Sequence, residues 1–142
     1  MEIIKKAFLS FALATTALTT YGQSDSTNFR ANLYNKEYDI SMILDLHERE
    51  LNVPGHELYG PLAGYLGIST STFYWLVVDA EIKGKEATLQ MVNDYGSEDL
   101  TATLTQLTDS TYRLTQGKGS IIRVPHNKKW MKLPKILNFK KR

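Results

Sequence analysis

Cysteine is absent from all 142 residues. That excludes disulfides, thiolate metal sites, a lipoprotein anchor built on an acylated cysteine, and every cysteine nucleophile. Acidic residues are missing from residues 110–142, which hold ten basic ones, whereas residues 23–109 carry fourteen acids against five bases. Downstream of the N-terminus no apolar run approaches the roughly 20 residues that a membrane-spanning helix needs. The Gly-x-Ser-x-Gly nucleophile elbow does not occur, nor does a glycine-rich loop followed by lysine. The sequence therefore offers neither a motif for acyl transfer nor one for cradling phosphates.

The N-terminus has a definite order. Lys5 and Lys6 precede an uncharged apolar stretch over residues 7–20, and the small residues Thr20 and Gly22 stand three and one residues before Gln23. Positive charge, a short apolar segment and a small-residue exit make a secretory signal, predicted to be cut between Gly22 and Gln23. The exit Thr20-Tyr21-Gly22-Gln23 resembles export signals of the Bacteroidetes. That resemblance implies a Gram-negative periplasm and a mature chain whose N-terminal Gln can cyclise. The expected organisation is a signal peptide at 1–22, a polar lead-in at 23–35 and one mainly antiparallel β domain at 36–142. The mature product is expected to be periplasmic or secreted, and not membrane-spanning after cleavage.

Strand periodicity dominates the region beyond residue 36. Tyr38, Ile40, Met42, Leu44 and Leu46 alternate with polar residues, as do Ala87, Leu89 and Met91, and then Leu100, Ala102 and Leu104. Period-two alternation marks strands with one buried face. Residues 73–78, Phe-Tyr-Trp-Leu-Val-Val, are aromatic and β-branched on both parities, the strongest strand signal in the chain. Residues 58–68 hold three glycines and Pro61, a combination that opposes a helix and predicts a bent strand with bulges. Shorter strands are expected at 112–116 and 121–124. Residues 130–139 are predicted to form a docking turn, broken at Leu133-Pro134, and a last strand. Turns recur about every ten residues, with no helical crossover between strands. The predicted fold is all-β: an antiparallel meander of seven or eight strands, closing as a small up-and-down, lipocalin-like barrel in preference to a β-sandwich.

Groups able to carry chemistry are scattered. His47 and His56 flank the Pro54-Gly55 turn, but they lack the tight spacing of a zinc site. Residues 94–99 bring together Asp94, Glu98 and Asp99 without the alternating pattern of a calcium loop; a hairpin turn accounts for them. Asp79 and Glu81 share one face of the strongest strand, where cross-strand ion pairing is the commoner use of such residues. No cofactor and no metal is expected.

Two sets remain as binding candidates. Tyr59, Tyr65, Tyr74 and Trp75 are aromatics available to line a pocket for a small apolar ligand. Lys128, Lys129, Trp130, Lys132 and Lys135 mix cations with an aromatic, a composition suited to a partner or an anionic envelope component; an exported protein is not expected to meet nucleic acid. The same block is also expected to lie beside the acidic first strand when the meander closes. The functional expectation is a non-catalytic binding or envelope-interaction module. Its alternatives are a periplasmic carboxylate-dependent hydrolase and a partner-docking protein that uses the basic C-terminal segment.

Overall fold

The computed structural model describes residues 28–142; the predicted leader and its cleavage point lie outside them. Ten strands follow in order: β1 Arg30–Asn35, β2 Ile40–Asp45, β3 Gly64–Ile68, β4 Trp75–Lys83, β5 Glu86–Asn93, β6 Asp99–Gln106, β7 Thr111–Gly119, β8 Arg123–His126, β9 Lys129–Lys132 and β10 Ile136–Lys141. Eight of them close an antiparallel barrel in the cyclic order β1-β10-β7-β6-β5-β4-β3-β2, and β8 and β9 form a separate two-stranded hairpin. The meander is thus interrupted once, between β7 and β10.

Alternation explains why the sheet closes on itself. On β5, β6 and β7 the inward parity is Ala87, Leu89, Met91, then Leu100, Ala102, Leu104, then Tyr112 and Leu114, all buried. The outward parity of the same strands is mostly Thr, Gln and Arg. Trp75, Tyr112, Phe29, Phe139, Leu33 and Met42 are among the largest side chains fully buried at the centre. An eight-stranded barrel is just wide enough for side chains to fill it, and here they do. Burial of each such side chain stabilises the fold by about 1.5–3 kcal/mol. Register shifts at Val77/Asp79 and Leu100/Ala102 supply irregularities that let a flat ladder bend into a cylinder.

The barrel begins earlier than the sequence patterning predicts. Residues 30–35, within the expected polar lead-in, form β1 and pair with β2 over six residues. Only Leu33 and Asn35 of this strand are buried, so its hydrophobic signal is too thin to detect. The strand expected over 58–68 is shorter, confined to Gly64–Ile68, and preceded by a 3-10 turn at Glu57–Tyr59. Gly60 at φ 72° and Pro61 end that turn. Residues 46–63 are an excursion over the outer wall, with an isolated β-bridge between Leu51 and Leu62 and side-chain ties from Arg49 to Asp79 and from His56 to Asp94. Under it Val53, Leu62 and Leu76 make a second apolar cluster with Tyr65, Tyr74 and Val92.

The β8–β9 hairpin plugs one end of the barrel. Ile122, Val124 and Leu133 join the main core, and Trp75 Nε1 donates to the Arg123 carbonyl at 3.0 Å. Its two-residue turn, Asn127-Lys128, has both residues at positive φ (51° and 64°), the backbone that a tight hairpin with right-handed twist demands. The β1–β2, β3–β4 and β5–β6 connections reach the same end. Three buried amides pin this end together. Asn35 donates to the Asn138 carbonyl and accepts from Tyr38 N. Asn93 Oδ1 accepts from Ser97 N and Glu98 N. Gln116 donates to the Pro134 carbonyl at 2.9 Å and accepts from Ile122 N at 2.7 Å. Each lies at or near the end of its strand on the inward parity, where apolar neighbours would leave turn backbone unsatisfied.

Candidate functional site

Strand parity divides the four candidate aromatics. Trp75 points into the barrel with 0% exposure and its indole N–H is committed to Arg123. Tyr74, one residue earlier, points outward beside Tyr65, their rings edge to face at 5.1 Å. Gly67 makes this possible, since a Cβ there would meet the Tyr74 ring at 2.6 Å. Tyr59 stacks on the His56 ring at 6.1 Å, and His56 meets Tyr74 at 6.0 Å. Tyr59, Tyr65 and Tyr74 therefore assemble with His56 on the outer wall, and Trp75 lies on the other side of the sheet.

His56 is the polar centre of that assembly. Its Nδ1 lies 3.0 Å from the Pro54 carbonyl, and its Nε2 is bonded to the Asp94 carboxylate. Both partners only accept, so the site favours the protonated ring, in which both nitrogens donate. Burial pulls the His56 pKa down, but the bonds to Asp94 and Pro54, with the charges of Asp94 and Glu57, raise it above its ordinary value overall. His47 does not join it; its Nε2 contacts the Asn28 carbonyl. Among the described residues no group of three or more His, Cys, Asp or Glu side chains is placed to hold a metal ion.

Three of the other candidate carboxylates pair with neighbours. Asp79 accepts from Arg49 at 3.0 Å and Glu81 pairs with Lys83 at 3.5 Å; neither is the expected cross-strand pair, since Arg49 lies in the segment between β2 and β3 and Lys83 is on β4 itself. Glu98 lies 3.5 Å from Arg123.

The basic C-terminal residues separate into three places. Lys128 and Lys129 are exposed at the hairpin tip. Trp130 packs edge to face on Phe73 at 5.0 Å. Lys132 and Lys135 line a hollow of about 420 Å³ with Gln116, Leu133 and Pro134. The last cations of the chain lie elsewhere, on β10. The acidic strand expected beside the basic block is β2, which β10 does not pair; β10 pairs instead with β7 and with β1, a strand that holds no acid.

That pairing builds a groove which the sequence alone did not expose. It is about 510 Å³ and is lined by Lys36, Arg113, Lys140, Lys141 and Arg142 with Tyr34, Asn138 and Phe139, and among the described residues no acid lines it. Among the described residues the ion pairs engage Arg30, Arg49, His56, Lys83 and Arg123, so none of the five groove cations has a carboxylate within 4.0 Å. The Arg142 guanidinium sits 4.1 Å from the centre of the Tyr34 ring, and the Tyr34 hydroxyl donates to Asp39 at 2.7 Å. Asp39 lies behind the tyrosine and is engaged by Ser69 as well; these two hydroxyls, Ser69 foremost, hold its carboxyl below the usual range. Arg113 is oriented by Asn138, which accepts from its Nε at 3.0 Å. The signal available in the sequence was the density of cations over residues 113–142; their convergence with Lys36 depends on barrel closure. Compared with protein-family models, curated proteins and solved structures, the chain matches none.

Proposed function

We propose that the protein is an exported, non-enzymatic binding module that recognises an anionic, phosphate-bearing component of the envelope through the groove between β1, β10 and β7. The observation carrying this reading is the convergence of Lys36, Arg113, Lys140, Lys141 and Arg142 on one hollow that no acid among the described residues lines. Clustered like charge costs self-repulsion, and an anion bound in the hollow relieves it. The filled barrel axis favours an exterior site over an enclosed apolar one. Guanidinium groups held by Asn138 and Tyr34 present fixed donors of the kind that phosphate oxygens accept bidentately.

Cosedimentation tests this with vesicles of phosphatidylglycerol in phosphatidylcholine against phosphatidylcholine alone. Binding should require the anionic lipid and weaken as salt rises, because exposed charges are screened. Each Lys or Arg near an anionic surface contributes about 1 kcal/mol, so Arg113→Gln with Lys140→Gln should cost about 2 kcal/mol, roughly thirtyfold in affinity. Equal binding to neutral vesicles, or an unchanged double variant, removes the reading. Loss on Lys128→Gln with Lys129→Gln instead moves the site to the hairpin tip.

A further inference from the structure

A third hollow, separate from the basic groove, lies at the plugged end of the barrel. It measures about 210 Å³, and its walls include Phe73, Tyr95, Trp130, Asn93, Glu98 and Arg123. Phe73 is nearly buried, whereas Tyr95 is 72% and Trp130 53% exposed. Tyr95 and Trp130 each meet Phe73 edge to face, at 5.4 and 5.0 Å with interplanar angles of 63° and 73°. Two large exposed aromatics are thereby held on one buried ring, with their outer surfaces left to solvent. Two exposed aromatics on one hollow are an unusual outlay of apolar surface for a small domain, and such exposure marks recognition surfaces.

The polar rim is built as firmly as the apolar wall. Asn93, 3% exposed, fixes the β5–β6 turn by accepting from Ser97 N and Glu98 N, and its own N–H lies 3.4 Å from Glu98 Oε2. Arg123 is set by the β8–β9 pairing and by its carbonyl bond from Trp75. Glu98 and Arg123 touch at only 3.5 Å and both remain partly exposed, so donors on one and acceptors on the other are unspent. An apolar face flanked by a carboxylate and a guanidinium matches a ligand with a flat C–H face and a girdle of hydroxyls.

We infer that this hollow is a subsite for a single neutral pyranose ring, stacked on Trp130 and hydrogen-bonded at its hydroxyls by Glu98 and Arg123. The small volume suits one ring rather than a chain. Charge argues for a neutral ligand over a quaternary ammonium, the other occupant that an aromatic cage takes. Glu98 is already paired, and Lys128, Lys129 and Lys132 share the hairpin with Trp130. The sugar subsite does not depend on the anion groove.

The test is a titration of the intact domain with methyl glucoside, methyl galactoside, methyl N-acetylglucosaminide and tetramethylammonium. It is followed by the indole N–H signals of Trp130 and Trp75 in a heteronuclear NMR spectrum. At millimolar glycoside, at least one sugar should shift Trp130 and Tyr95 while Trp75, buried on the barrel axis, stays fixed. Trp130→Ala should abolish the response read at the Tyr95 backbone amide, and Glu98→Gln should weaken the Trp130 response at least tenfold with an unchanged melting midpoint. The wild-type spectrum alone suffices if a variant fails to fold. No glycoside shift at Trp130, an equal shift at Trp75, or a response to tetramethylammonium alone would overturn the assignment.

Discussion

At His56 the identity of the two acceptors decides the charge, and the charge decides how the outer wall depends on pH. A carbonyl and a carboxylate can only accept, so the folded state holds a proton that the unfolded chain releases near pH 6.5. The folded pKa is raised, so the folded state binds more protons than the unfolded one between the two values. The associated stability is fully present below the unfolded pKa and is lost as pH rises through the folded one. Urea unfolding at a series of pH values should show this decline, and Asp94→Asn should flatten it. A wild-type protein that gains stability from about pH 6 to 8 through this site would contradict the doubly donating ring. Tyr59 and Tyr74 pack against the same ring, so loosening it is expected to be visible in tyrosine signals before global unfolding.

Among the elements, β10 carries more than its length suggests. It supplies both closing seams of the barrel and buries Leu137 and Phe139, with Leu133 just before it. Three such side chains at about 1.5–3 kcal/mol each amount to most of the about 5–15 kcal/mol that holds a domain folded. Deleting residues 128–142 is therefore expected to abolish the cooperative thermal melt, because β1 and β7 are left as open edges. Lys128→Gln with Lys129→Gln, at the exposed hairpin tip, should leave the midpoint where it was. A truncated chain that melts cooperatively near the full-length midpoint would show that β10 is dispensable. The amides Asn35, Asn93 and Gln116 belong to this scale as well. Each was readable only as a polar residue near a strand end, and its purpose emerges once the turn backbone it satisfies is in view.

For the whole molecule, apolar-in and polar-out alternation yields a barrel with a dry axis and a wet wall, the reverse of a lipid-facing barrel. Among the described residues no helix is long and apolar enough to cross a membrane. The open hollows lie accordingly on the outside, at the groove and at the plugged end. The leader expected at residues 1–22 predicts that protein recovered from the envelope fraction of its native host begins at Gln23. Intact-mass measurement checks this, and full-length chain confined to the cytoplasm would overturn it.

Period-two alternation at Ile40, Met42, Leu44, at Ala87, Leu89, Met91 and at Leu100, Ala102, Leu104 was enough to determine an antiparallel meander, because each strand had to bury one face and short turns left no room for crossovers; closure into a barrel rather than a sandwich was decided by β10 pairing with β1. The same local signal failed at Arg30–Asn35, where a single buried leucine cannot announce a strand. It also failed at 58–68, where Gly60 and Pro61 break what Gly64 resumes. The sites lay further out of reach. Which aromatics meet depends on parity, and that separates Trp75 from Tyr74. Which cations converge depends on β10 returning to β1, which brings Lys36 to Lys140 across a hundred residues. Contacts of that range are set by closure of the sheet rather than by neighbouring residues, so only the tertiary structure could decide them.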